Sequence, residues 1–271
     1  MSSNLTLMQK TGVSDLSFKD YNKRQLFEIS AERNKERVLK TKPAGNFYYH
    51  NNAWTPLKYE GFAVVSMLNE NERNEPLQAR LIEIQNELHY NLSPVYAFYQ
   101  LPSGSFHQTI ANTLSADRFK EHILNAGLLE DYPEIVAAAF EHIRAEENDH
   151  PIRMKMVGLS VFGTAIGMLG VIENEDHYNR IIDFRSGFYG NEALAQLDVR
   201  LTRPFIGHIT LSYIEHSLNK NQKEHLAEVI NEINESLSAG ENYFYISRAG
   251  LRRYHHLAEF TRQDNYPVYS L

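Results

Sequence analysis

One four-residue pattern occurs twice in this chain, and each copy lies in a stretch with strand character. His107-Gln108-Thr109-Ile110 and His208-Ile209-Thr210-Leu211 share the form His-x-Thr-apolar. Along a strand, side chains alternate between faces, so positions n and n+2 point the same way. Each copy therefore presents an imidazole and a hydroxyl side by side. Two such strands set opposite each other would gather two acid–base groups and two hydroxyl donors around one small anion, an arrangement suited to chemistry at a phosphate. None of the other ten histidines is followed at n+2 by Thr or Ser. A single His-x-Thr is a weak motif, and threonine also serves β propensity. The duplication in matching contexts is what carries weight.

The 271 residues are enough for one large domain or two lobes. Lys and Arg number 27 against 34 Asp and Glu, a net charge of −7. This argues against binding nucleic acid through a broad basic surface, though not against acting on one nucleotide or one RNA end. The chain has no cysteine, which excludes disulfides and thiol catalysis. The first twenty residues lack the basic start and apolar run of a secretory signal. The most apolar uncharged stretch, Met156 to Ile172, is short for a bilayer and broken by four glycines. The expectation is a cytoplasmic protein with no membrane partner.

Residues 1–43 stand apart as a helical extension. Leu16 to Lys40 is rich in Lys, Arg and Glu, with Leu16, Tyr21, Leu26, Phe27 and Val38 spaced irregularly on one helical face. Asp20 is the expected cap of a helix starting at Tyr21, and Pro43 lies beyond its end. Such an arm either packs on the main domain or reaches a partner or the active site. Residues 44–271 form the main domain. Asn46 to Pro56 reads as a hairpin around His50-Asn51-Asn52, and Gly61 to Leu68 as a buried strand. Asn74 to His89 carries Leu77, Leu81, Ile84 and Leu88 at helical spacing. Val95 to Leu101 and Ser105 to Thr113 read as strands joined by Pro-Ser-Gly, completing a β-α-β-β half. Helices are expected from a Ser115 cap to Gly127 and from Pro133 to Asp149. Ile152 to Ser160 and Ala165 to Ile172 read as strands turned at Gly163, and Glu175 to Gly190 contains a helix. Pro204 to Ile214 is the second motif strand, Asn221 to Leu237 an amphipathic helix, and Tyr243 to Ile246 with Leu251 to Phe260 closing strands. This order predicts an α+β fold with antiparallel sheets. Gly163 to Gly170 lacks the spacing of a nucleotide-binding loop.

GSFHQTIANT (104–113) and FIGHITLSYI (205–214) resemble the paired motifs of the two-histidine (2H) phosphoesterase superfamily, which includes the RNA 2′-5′ ligase-like proteins and cyclic phosphodiesterases. LPSGSFHQT, DFRSGF and FIGHITLSY are similar to an uncharacterised branch of it. The resemblance spans about residues 44–260. It implies two pseudo-symmetric lobes, antiparallel sheets facing a central cleft and helices outside. One departure concerns the residue two places after the motif's apolar position, aromatic in many members. Here it is Tyr213 after the second motif but Asn112 after the first.

Opening or forming a cyclic phosphodiester needs a base on the attacking oxygen and an acid on the leaving oxygen, and histidine serves as either near neutral pH. His107 and His208 are the expected pair, with Thr109 and Thr210 hydrogen-bonding the non-bridging phosphate oxygens. Tyr213 is expected to stack on a base or to pack. Lys155, Arg200 and Arg203 are candidate phosphate contacts, with solvated surface charge as the plainer reading of each. His216 lies past the strand end, and at most one of His255 and His256 faces a cleft. No His-Glu-x-x-His and no acidic cluster adjoins either motif, so neither a metal nor a cofactor is expected. The expected activity is a metal-independent hydrolase acting on a cyclic phosphodiester or a 2′-5′ linked nucleotide or RNA end. The alternative is a non-catalytic protein that binds a nucleotide or phospho-ligand in the same cleft. Oligomeric state is open.

Overall fold

The two longest apolar runs become the interior strands of two antiparallel sheets. The computed structural model describes residues 12–92, 98–143, 150–237 and 242–271. The first sheet contains β3 (Gly61–Met67), β5 (His107–Ser115), β10 (Arg248–His256), β11 (Glu259–Thr261) and β12 (Val268–Ser270), in the order β11-β10-β3-β5 with β12 also on β10. The second contains β4 (Phe98–Gln100), β6 (Ile152–Phe162), β7 (Ala165–Ile172), β8 (His208–Ile214) and β9 (Tyr243–Ile246), in the order β4-β8-β7-β6-β9. β1 (Phe47–His50) and β2 (Ala53–Pro56) form the expected separate hairpin. Every residue of β3 and β7 is buried, as befits strands covered on both faces. The architecture is α+β, with each motif on a strand of a different sheet. β5 is an edge strand, whereas β8 lies between β4 and β7.

The amphipathic segments form the covering helices. Among the described residues the N-terminal segment forms two helices rather than one, α1 (Phe18–Glu28) and α2 (Ala31–Leu39). The cap of α1 is Ser17, which accepts from the Asp20 N–H at 3.1 Å, and Ser30 caps α2 through Arg33 N–H at 3.3 Å. Asp20 sits in the first turn, where its charge favours the helix dipole. The break at 29–30 explains the irregular apolar spacing. α3 (Glu75–Leu92) buries Leu77, Leu81, Ile84, Leu88 and Leu92 along one stripe. α1 packs on β7, and α2 packs on β6 and on the C-terminal α8 (Lys220–Leu237). Tyr21 reaches the Gly170 carbonyl at 2.8 Å, and Gln25 those of Gly170 and Gly207, both at 2.7 Å. Gly207 is required here, because a Cβ would collide with the Tyr21 hydroxyl.

Other elements depart from expectation. β4 and β5 are not neighbours: β4 pairs with β8, and β5 with β3. Residues 101–106 therefore cross between sheets, and the expected β-α-β-β half is not one unit. Residues 95–97 of that strand lie outside the described residues. Ser115 is the last residue of β5, and its side chain makes no cap hydrogen bond. The chain then makes one helical turn, α4 (Ala116–Phe119), and a π-turn over Lys120–Leu124. α5 (Tyr132–Glu141) starts at the proline signal, and residues 144–149 of its expected tail lie outside the described residues. α6 (Glu175–Tyr189) forms as expected, and the short α7 (Glu192–Gln196) comes after it. No helix among the described residues is long and apolar enough to cross a membrane.

Candidate functional site

Both motif strands carry a bulge at the same place. On β5 the pairing steps from Val64↔Ala111 to Val65↔Thr109, leaving out Ile110. On β8 it steps from Ile166↔Ser212 to Gly167↔Thr210, leaving out Leu211. A bulge inserts one extra residue and reverses the alternation beyond it. In a regular strand n+5 would face away from n and n+2. With the bulge at n+3, all three face one side. The burial patterns agree, with positions n, n+2 and n+5 partly open in both strands. His107, Thr109 and Asn112 therefore share a face, as do His208, Thr210 and Tyr213.

These six residues line one cleft of about 400 Å³. Each imidazole is held in the same way. Nδ1 of His107 lies 2.7 Å from the Ser105 carbonyl, and Nδ1 of His208 lies 3.1 Å from the Ile206 carbonyl, each two residues upstream. A carbonyl only accepts, so each Nδ1 carries the proton and each Nε2 keeps the lone pair. Phe260 packs on the His107 ring at 4.1 Å between centroids, and Phe162 on the His208 ring at 5.2 Å. Desolvation pushes both rings down to about 4 against the ordinary 6.5. The backbone hydrogen bond of each opposes the shift, and for His208 the Arg203 and His107 charges add to it. The free protein therefore holds both imidazoles neutral at pH 7.

The remaining lining suits an anion. Thr109 and Thr210 are half-buried and face the cleft. Arg203 is the only charged side chain in the lining, and no carboxylate lines it among the described residues. The Arg203 guanidinium lies 3.5 Å from Asn112 Oδ1. Two imidazoles without a carboxylate are a sparse donor set for a divalent cation, and among the described residues no group of three or more His, Asp, Glu or Cys converges. Tyr213 packs on Phe47 at 5.6 Å, and burial raises its phenol well above the ordinary range. Phe47 in turn stacks on Tyr99 at 3.6 Å.

Of the three candidate cations, the structure brings only Arg203 to the cleft. Lys155 lies outside the lining, 3.9 Å from Glu173, and Arg200 faces Asp198 at 3.3 Å. His216 is exposed, and His255 faces Glu60 at 3.0 Å. Neither His255 nor His256 lines the cleft. Sequence reasoning missed Arg185. It is 3 % exposed and binds Asp15 at 2.9 Å, the Ile110 carbonyl at 2.7 Å and the Arg203 carbonyl at 3.0 Å. Asp15 also accepts from the Phe205 N–H at 2.5 Å. One guanidinium thus ties the first motif's bulge to the loop before the second. Its signal was an arginine on the apolar face of α6, beside Ile181, Phe184 and Phe188. A larger open hollow of about 820 Å³ lies between α5, α6 and α7, and no residue of either motif lines it.

No protein-family model matches the chain, and no curated protein matches it. Among solved structures, a conserved protein of unknown function from Agrobacterium tumefaciens str. C58 has a similar fold. It aligns with a TM-score of 0.56 at 16% identity, over 87% of this chain and 95% of that one. A protein from Thermus thermophilus aligns with a TM-score of 0.41 at 14% identity, over 79% of this chain and 95% of that one. The likeness to the Agrobacterium protein is one of fold.

Proposed function

We propose that this protein is a metal-independent phosphoesterase of the two-histidine kind, acting on a cyclic phosphodiester or a 2′-5′ linked nucleotide or RNA end. One observation carries the reading. Two imidazoles with the same fixed tautomer line one cleft with two threonines and an arginine, and no carboxylate among the described lining competes for the arginine. The matching bulges and burial patterns of β5 and β8 support a pseudo-twofold relation between the lobes.

For hydrolysis, one Nε2 accepts a proton from water as the water oxygen bonds to phosphorus. The bond from phosphorus to the ribose oxygen breaks, and the second imidazole, as imidazolium, donates its Nε2 proton to that oxygen. Thr109, Thr210 and Arg203 hold the non-bridging oxygens as charge builds. The acid must be protonated although both rings are neutral in the free protein. A phosphate anion between them favours imidazolium and raises the proton affinity of one ring, so binding loads the acid.

The same neutrality suits a second reading, a protein that binds a phospho-ligand without turning it over. A panel of 2′,3′-cyclic, 3′,5′-cyclic and 2′-5′ linked nucleotides separates the two. Turnover of at least one, a bell-shaped pH–rate profile, persistence in chelator and loss in folded His107→Ala and His208→Ala are expected. Binding without product across the panel selects the second reading. Full activity in either variant overturns the first, and loss in chelator points to a metal enzyme.

A further inference from the structure

We infer that Gln108, the second residue of the first motif, is a positioning residue for the histidine of the second motif. The inference rests on His208 acting as acid or base. Gln108 is fully buried, and its amide spans the gap between β5 and β8. Oε1 accepts from the His208 backbone N–H at 2.6 Å. Nε2 donates to the Ile206 carbonyl at 3.0 Å and to the Thr109 carbonyl at 2.7 Å. The partners fix which end is oxygen, since a backbone N–H requires an acceptor and the carbonyls a donor.

The Ile206 carbonyl is also the acceptor of His208 Nδ1. Its two lone pairs are thus divided between the ring it orients and the amide that anchors it. Gln108 grips the His208 backbone on one side and the carbonyl behind its ring on the other. Arg185 joins the first strand to the loop before the second motif, but Gln108 binds the second histidine itself. Among the described residues no side chain of the second motif binds the Ser105 carbonyl that anchors the His107 ring. The second motif has Ile209 in the place of Gln108, fully buried and without a polar group to return the link. The tie therefore runs one way, from the first motif to the second histidine.

Gln108→Met removes both polar ends at similar volume. Thr113→Val is the control: Thr113 sits on the same strand with a buried hydrogen bond to the Phe62 carbonyl at 2.6 Å. In the unsubstituted protein, proton NMR is expected to show a through-space contact between the Gln108 side-chain amide and the His208 backbone amide proton. In Gln108→Met, nitrogen NMR is expected to show His208 as mixed tautomers, with His107 keeping its proton on Nδ1. On a 2′,3′-cyclic nucleotide, kcat is expected to fall roughly 10- to 100-fold with KM little changed, the scale set by misplacing a reacting group. Thr113→Val changes neither imidazole pattern. Absence of the contact, an unaltered His208 in Gln108→Met, or equal disturbance of both histidines overturns the inference. If Gln108→Met does not fold, the contact in the unsubstituted protein still decides. If that protein turns over no nucleotide, the phosphoesterase reading fails while the NMR result stands on its own.

Discussion

The two motif strands carry the same acid–base and hydroxyl groups on different supports. Histidine, threonine, bulge and upstream carbonyl recur at equal offsets in β5 and β8. The surroundings do not recur. The bulge carbonyl of Ile110, on an edge strand, is bound by the buried Arg185 guanidinium. That of Leu211, inside its sheet, is bound by the Leu101 N–H and the neutral Gln85 amide at 2.7 Å. At n+5 the first strand offers Asn112 beside Arg203, and the second offers Tyr213 backed by Phe47. On the proposed reading, the reacting groups are duplicated, while recognition and bracing are divided between the sides. The proposed reaction needs acid and base in like geometry, whereas a cyclic mononucleotide has only one base beside its phosphate.

The sharpest way to break the equality of the histidines is to remove each in turn. His107→Ala and His208→Ala are each expected to lower kcat by at least about 100-fold, the usual scale of acid–base catalysis. The double variant should be little worse than either, because the groups act as a unit. Unequal single losses would show that one ring carries the step, and steady-state kinetics on the best substrate of the panel decides it.

The unequal bracing predicts unequal stability. Arg185→Met leaves the buried Asp15 carboxylate without its charged partner and should cost about 3–5 kcal/mol. Gln85→Met frees two carbonyls from a neutral donor and should cost about 1–3 kcal/mol. Urea unfolding of both variants checks the order, and equal losses would remove the distinction between the two strands.

Much of this was legible in the sequence, and what was hidden has physical causes. Strands and amphipathic helices follow from periodicity, so β3, β7, α3 and α8 appear where expected. The paired motif pointed to His107, Thr109, His208 and Thr210, and the resemblance drew attention to the positions of Asn112 and Tyr213; all six line the cleft. The bulges were hidden because register belongs to a strand and its neighbour together, and neither Ile110 nor Leu211 carries a mark of it. β4 changed sheets because a three-residue strand takes its partner from tertiary packing. Gln108 occupied the unspecified place in its motif. Arg185 stood out only as an arginine on an apolar helical face, and the carboxylate that accounts for it, Asp15, lies far away in sequence.

Division of recognition predicts that Tyr213→Ala weakens nucleotide binding more than Asn112→Ala. Loss of one ring–base stack costs about 1–3 kcal/mol, and so up to roughly 100-fold in affinity. Loss of an amide whose side-chain partner among the described residues is a guanidinium 3.5 Å away should stay well below that. Calorimetry with a cyclic nucleotide and with inorganic phosphate separates base from phosphate. The Tyr213 effect should vanish with phosphate, and its persistence there would move Tyr213 from the base to the anion.

The smallest effect tests whether the rings are buried alike. Both have a folded pKa depressed to about 4 from 6.5. Between those values the unfolded chain binds more protons, so stability falls as pH drops from about 6.5 towards 4 and is flat above that window. Each ring contributes a slope of at most about 1.4 kcal/mol per pH unit. His177 is depressed in the same direction and adds to the raw curve. The informative quantity is therefore the difference between the unsubstituted protein and each alanine variant. Removing either ring should flatten the acid limb by the same amount, since desolvation is the leading cause for both. Inorganic phosphate in the cleft should shrink both differences, because an anion restores proton affinity to the rings. A difference confined to one variant would show that the matched strands enclose their histidines unequally, and would assign the more open ring as the one that trades its proton with water.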